Sequence, residues 1–209
     1  MISCRVTEQE EEVALERLKK QLEFIVEIDK LKHIFRQNVL IKDRRNENDA
    51  EHSWHITLMA MLLKEYYVHP DIDLLKVMKM TIVHDLVEVY AGDTFCYDEE
   101  GNMDKVAREK ESAKKLFGML PEDQEQEMWS LWWEFETQQT HEAKFGACLD
   151  RLQPLILNSR TEGHTWKKPG VNKEKVLERN AVMKDYAPRL WEYVLQELNI
   201  AVEQGYLAE

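Results

Sequence analysis

The chain has 209 residues, long enough for one domain with a substantial core, and a formal net charge of −12. That acidity excludes a nucleic-acid backbone or an anionic membrane surface as the main partner, since both attract basic faces, and no stretch resembles a signal peptide or the about 20 apolar residues of a membrane span. With 44% hydrophobic and 33% charged residues, few Gly and Pro, and Cys4, Cys96 and Cys148 in neither disulfide nor metal-thiolate spacing, the sequence predicts a soluble all-α protein of the reducing cytoplasm.

In chain order, a first helical stretch runs from Thr7, a capping box with Glu10, to about Arg36, and Val13, Leu15, Leu18, Leu22, Ile25 and Val26 assign it to core packing. A polar loop with Lys42, Asp43, Arg44 and Arg45 comes next; it reads as solvated surface, or with Arg36 as a source of anion contacts. Asn48, paired with Glu51, caps a second helix that places His52 in its first turn and ends near Tyr67. Pro70 breaks the chain, and Asp71 can cap a third helix spanning Ile72 to Tyr90.

That third helix is apolar on nearly every side, through Val77, Met78, Met80, Ile82, Val83, Leu86, Val87 and Val89, yet it carries His84, Asp85 and Glu88. On an ideal helix Glu88 lies about 40° and Asp85 about 100° round from His84, so two acids and an imidazole share one buried arc. Such a group is costly in a core unless a cation compensates it, and a divalent metal is the simplest compensation. His52 lies 17 residues before His69 and His84 lies 15 after it, so an antiparallel hairpin brings the two histidines to one level. His55 reads as a packing or hydrogen-bonding residue.

Gly92 ends this helix and puts Asp93 next to the motif. An acidic loop, Asp98 to Asp104, leads to a polar helix from about Met103 to Met119 and a long helix begun at Pro121, whose Trp129, Trp132 and Trp133 read as core anchors or a subunit contact. In the helix from His141 to Arg160, Asp150 sits among Ala143, Gly146, Ala147 and Leu157; it reads equally as a fourth metal ligand or as half of an ion pair. One or two helices between Asn172 and Gln204, started again at Pro188, close the chain without chemistry of their own.

Two imidazoles and two carboxylates, His52, His84, Asp85 and Asp150, suit a single first-row divalent ion such as Mn²⁺, Co²⁺, Fe²⁺, Zn²⁺ or Ni²⁺. Glu88 is placed to orient or deprotonate a water, and Asp93 to serve the leaving group or a sugar hydroxyl.

The ordered series E51-H52-S53, H84-D85-L86-V87-E88-V89-Y90-A91-G92-D93 and L149-D150, over roughly Leu31 to Leu157, resembles the HD-domain metal-dependent phosphohydrolases, in the branch that includes bacterial 5'-deoxynucleotidases. The resemblance implies one HD-type helical domain over 1–209, with the C-terminal helices packed on the metal-site core. It also implies a metal held by His52, His84, Asp85 and Asp150, catalytic help from Glu88 and Asp93, phosphate contact from Arg36, and a homodimer. Where that branch has a deoxyribose-selecting Trp after the Arg, this chain has Gln37. The implied activity is hydrolysis of a nucleoside 5'-monophosphate; a nucleotide pyrophosphohydrolase or phosphodiesterase, and a non-catalytic metal- or nucleotide-binding module, are the alternatives.

Overall fold

A computed structural model describes residues 7–209, and Cys4 lies outside them. The predicted all-helical architecture holds, with two short strands added. Helix α1 (Glu8–Ile28) starts at the Thr7 capping box, in which the Glu10 carboxylate takes the Thr7 N–H at 2.7 Å. The helix does not reach Arg36. A 3-10 stretch over Asp29–His33 ends it, and β1 (Phe35–Val39) pairs antiparallel with β2 (Asn46–Asn48), Phe35 opposite Asn48 and Val39 opposite Asn46. Ile34 continues the helical spacing in sequence only, because Phe35 to Val39 find their backbone partners on β2. Nor does α1 pack as a core helix: Phe24 is buried, but Leu15, Leu18, Leu22, Ile25 and Val26 are exposed.

Helix α2 (Asp49–Leu63) opens as expected, with Asn48 Oδ1 accepting the Glu51 N–H at 2.9 Å and the Glu51 carboxylate accepting the Asn48 N–H at 3.2 Å. Its apolar run ends in a 3-10 turn, Lys64–Tyr66. Helix α3 (Leu74–Val83) is capped by Asp73 rather than Asp71, the Asp73 carboxylate accepting the Lys76 N–H. The predicted helix to Tyr90 breaks at His84. Residues 84–87 form a turn, with Leu86 N–H donating to Val83 O and Glu88 N–H to Asp85 O, before a short α4 (Glu88–Ala91). These three-residue bonds tighten the chain relative to an α-helix, so the ideal wheel does not carry past His84. Burial is also less complete than the pattern implied, since Ile82 faces solvent.

Helices α5 (Lys105–Phe117) and α6 (Glu122–Thr137) come next, and α7 (His141–Arg160) has the predicted bounds. Trp132 is a fully buried anchor, whereas Trp133 is partly exposed beneath the Lys110 ammonium. The C-terminal segment holds three helices, α8 (Lys173–Asn180), α9 (Val182–Tyr186) and α10 (Pro188–Glu203), the last with Pro188 in its first turn, where no N–H is missed. Among the described residues no helix is long and apolar enough to cross a membrane.

Two apolar clusters form the core. One joins Ile56, Val77, Phe145, Leu149 and Leu152 to the C-terminal helices; the other joins Phe24, Met80, Val83, Phe117 and Trp132. Each fully buried side chain of this size contributes about 1.5–3 kcal/mol. Helix α3 gives Val77 to the first cluster and Met80 to the second, and a polar cluster is carried on the elements between them.

Candidate metal centre

His52 is set by the start of α2 and is wholly buried. Its Nδ1 lies 3.1 Å from Gln153 Oε1, while Gln153 Nε2 donates to Glu47 Oε1 at 2.6 Å. The Glu47 contact fixes the amide the right way round, so His52 Nδ1–H donates to Gln153 and Nε2 is left to face inward. That nitrogen is 3.0 Å from Asp150 Oδ1 and 3.9 Å from Asp85 Oδ2. His84, the last residue of the α3 ladder, donates Nδ1–H to Thr81 O at 2.9 Å. Its Nε2 lies 3.1 Å from Asp85 Oδ1 and 3.7 Å from Asp150 Oδ1, yet it is buried and makes no hydrogen bond. The two rings are 5.5 Å apart.

Side chains from α2, the α3–α4 turn and α7 thus converge. Two inward nitrogens, each with its other ring nitrogen tied to a carbonyl oxygen, face two carboxylates, which is the donor set and the outer support a divalent cation requires. Ligand atoms of His52, His84 and Asp85 lie within 4.8 Å of one another, and Asp150 touches both rings. The orphaned His84 Nε2, near carboxylate oxygens without bonding to them, fits a cation between them.

The electrostatics agree. Burial works against charging His84, but Asp85 and Asp150 outweigh it and hold its pKa up to about 10. Burial and Arg36 push His52 down. Asp85 and Asp150 stay well below the usual carboxylate range despite burial, Asp85 through His84 and Arg36, Asp150 through the two imidazoles. A field that favours positive charge at His84 favours a cation beside it.

Behind this cluster lies a second acidic trio, Asp49, Glu88 and Asp93, with oxygens within 4.8 Å of one another. Burial, then Asp85, raises Asp49 to about 7, and the same two causes hold Glu88 well above the usual carboxylate range. Gly92, at φ 74°, turns the chain after α4 and delivers Asp93 to the trio. Arg36 Nη1 bridges the groups, 2.6 Å from Asp85 Oδ2 and 3.4 Å from Asp49 Oδ1. The proposed ligands and their three companions therefore meet at one place; Arg36, His84, Asp85, Glu88, Asp93 and Asp150 line one cavity, with His52 buried against it, whereas Lys42, Arg44 and Arg45 do not reach that cavity. His55 hydrogen-bonds Gln153 at 3.2 Å, in the supporting role assigned to it.

The sequence reading missed Asp49, Glu47, Gln153, Lys105, Arg151, Arg179 and Asn180. Gln153 carried a signal, since it lies one turn after Asp150 between Leu152 and Leu155. Arg179 and Asn180 carried none: α8 reads as a polar surface helix, but its end reaches the cavity. Gly146, one turn before Asp150, leaves room for the close approach of a neighbouring helix. A Cβ there would lie 2.8 Å from Phe135 Cε2, and the Phe135 ring packs 4.7 Å from the His84 ring. Gly146→Val is expected to destabilise the fold by about 1–3 kcal/mol, read as a lower melting temperature, by forcing Phe135 off its rotamer.

The HD domain family model matches residues 28–191, a span that includes every residue of the cluster. The chain belongs to the HD domain family. The resemblance read from the H…HD…D series is therefore borne out. Among its relatives, this HD protein is 31% identical over 142 residues to the 5'-deoxynucleotidase HDDC2 of Bos taurus, covering 68% of this chain and 67% of that one. The Homo sapiens protein of the same name is 31% identical over 68% of each chain. A crystal structure of a predicted metal-dependent phosphohydrolase from Magnetospirillum magnetotacticum MS-1 is 45% identical, covers 98% of this chain and 100% of that one, and has a TM-score of 0.86.

Proposed function

We propose that this HD domain protein is a metal-dependent phosphohydrolase that releases phosphate from nucleoside 5'-monophosphates in the cytoplasm, with the chain 1–209 working as one HD-type domain. The observation that carries the reading is the convergence of His52, His84, Asp85 and Asp150, from three separate elements, beside the unpaired carboxylate oxygen of Glu88. The names of the relatives, 5'-deoxynucleotidase and metal-dependent phosphohydrolase, support it.

In this reading His52, His84, Asp85 and Asp150 hold one divalent ion, of the Mn, Co, Fe, Zn or Ni class. When bound, such an ion supplies Lewis-acid polarisation of a phosphoryl oxygen and makes a water acidic enough to attack near neutral pH. The remaining work falls to the chain. Gln153 and Thr81 fix the tautomers of His52 and His84, so that both Nε2 atoms point inward. Glu88 orients the attacking water and takes its proton at the carboxylate. Asp93, just past the Gly92 turn, faces the leaving nucleoside oxygen or a sugar hydroxyl.

Arg36 screens Asp85 and Asp49 and lies beside the phosphate position. Arg151 and Arg179 line the same cavity, and burial together with Arg179 lowers the Arg151 pKa. Two neighbouring guanidiniums that repel each other are relieved by an anion between them, which suits a phosphate ester as the occupant. Gln37 sits at the cavity wall, where the Lys168 ammonium donates to its Oε1.

The test is a substrate panel of ribo- and deoxyribonucleoside monophosphates, nucleoside diphosphates, guanosine polyphosphates and cyclic dinucleotides, each with Mn²⁺, Co²⁺ and Zn²⁺, with released phosphate as the readout. Phosphate from monophosphates alone is the expected result. Pyrophosphate release, or turnover confined to cyclic dinucleotides, overturns it.

A further inference from the structure

Helix α5 is polar in sequence, yet one of its faces is turned towards the chain around Glu88 and Asp93. Lys105, Arg108, Glu109 and Ser112 recur at helical spacing on that face, and Glu109 and Ser112 are buried. Two of the four are spent on backbone. The Ser112 hydroxyl donates to Val87 O, while the Arg108 guanidinium donates to Ala91 O at 2.7 Å and to Gly101 O and Thr94 Oγ1 at 3.0 Å each. The first turn of α5 is thereby fixed against the turn that delivers Asp93. Lys105 has no backbone to hold. Its ammonium lies 3.3 Å from Glu109 Oε1, longer than the about 2.7–2.9 Å of a charge-assisted hydrogen bond, and it carries more donors than one carboxylate oxygen can take. Both residues line the catalytic cavity, and the Lys105 side chain keeps 33% of its surface open.

The neighbours of that ammonium are acids. Burial opposes its charge, but Glu109, Glu88 and Asp85 outweigh burial and hold Lys105 above the usual lysine range. Asp93, raised by burial, is drawn back by Arg36 and by Lys105. Lys105 therefore stays an ammonium at neutral pH, a fixed positive charge rather than a source of protons. Arg36, within the same acidic group, is already committed through Nη1 to Asp85 and Asp49. A phosphate monoester is close to dianionic at neutral pH, so Glu88 and Asp93 repel it unless a free cation stands on their side. We propose that Lys105 is a further catalytic residue of this site, whose ammonium binds a non-bridging oxygen of the phosphoryl group on the Glu88–Asp93 side and stabilises the charge there as the group is transferred. Lys105 forms no covalent bond and gives up no proton in this role, and Glu109 is the tether that aims it. The inference rests on the phosphohydrolase reading given above.

The test compares the full chain with Lys105→Met, Lys105→Arg and Glu109→Gln, using melting temperature as the folding control and Mn²⁺ titration as the control for the metal cluster. Calorimetry of inorganic phosphate binding to the Mn²⁺-loaded proteins comes first, because it needs no substrate. Lys105→Met is expected to weaken phosphate by about 10–100-fold, the worth of one charged hydrogen bond, at unchanged Mn²⁺ affinity. Its kcat on nucleoside monophosphates should fall by about 10²–10³-fold, with Lys105→Arg recovering part of both losses and Glu109→Gln losing less than Lys105→Met. Unchanged phosphate affinity in Lys105→Met overturns the inference. Equal losses from Lys105→Met and Glu109→Gln overturn it too, since that is the behaviour of a purely structural ion pair. A wild type that releases no phosphate from monophosphates overturns the proposed function instead, while the phosphate titrations still decide what Lys105 binds.

Discussion

Glu88→Ala is expected to lower kcat by about 10²–10⁴-fold, the range of a positioned acid–base group, while the protein retains its divalent ion. Glu88 is not part of the imidazole–carboxylate cluster, and its buried Oε2 has no hydrogen-bond partner, so the substitution removes a proton acceptor without dismantling the donor set. Two measurements decide it, the metal content of the purified variant and its single-turnover rate. Full activity removes Glu88 from the mechanism; loss of the metal with activity moves it among the ligands.

Asp85→Asn should behave in the opposite way. Asp85 faces both imidazoles and the Arg36 guanidinium, with Oδ2 2.6 Å from Nη1 and Oδ1 3.1 Å from His84 Nε2. The amide keeps the volume but removes the charge that draws a cation. Weakening even a supporting partner of a metal site costs about 10–100-fold in affinity, so loss of a ligand should exceed that range. Titration of the metal-stripped protein with Mn²⁺ measures it directly. Arg36, left with Asp49 alone at 3.4 Å, adds a stability cost, and a lower melting temperature in the metal-free variant is expected as well. Unchanged Mn²⁺ affinity would show that the ion sits elsewhere.

Much of the site was legible in the sequence because ligand chemistry stands out against its background. Histidine and acids inside the apolar run from Val77 to Val89, and an acid among small residues at Asp150, each pose a charge problem that a metal resolves, and the hairpin count brought His52 level with His84. The supporting groups were less legible because their types are ordinary: Glu47 and Asp49 resemble any polar helix start, and Arg179 any charge on a surface helix. The fold misread in two places for one reason. Helical spacing persists through Ile34 and through Glu88, but it does not report hydrogen bonding, and the chain leaves the α-helix at Asp29 and at His84. The exposed stripe of α1 is the converse case, where apolar spacing was read as burial that the body of the protein does not supply.

The β1–β2 ribbon has a mechanical effect on the site. Between the pairings Phe35–Asn48 and Val39–Asn46, four steps along one strand answer two along the other, so the surplus is already thrown out as a bulge. Arg36 is pinned beside one end of that ladder, and β2 runs straight into the helix that bears His52. Separation along the chain is thereby uncoupled from separation in space. Residues can be gained or lost between Leu40 and Arg45 without moving guanidinium or imidazole, which leaves the hairpin's tip free to vary in length while the chemistry beneath it stays in register.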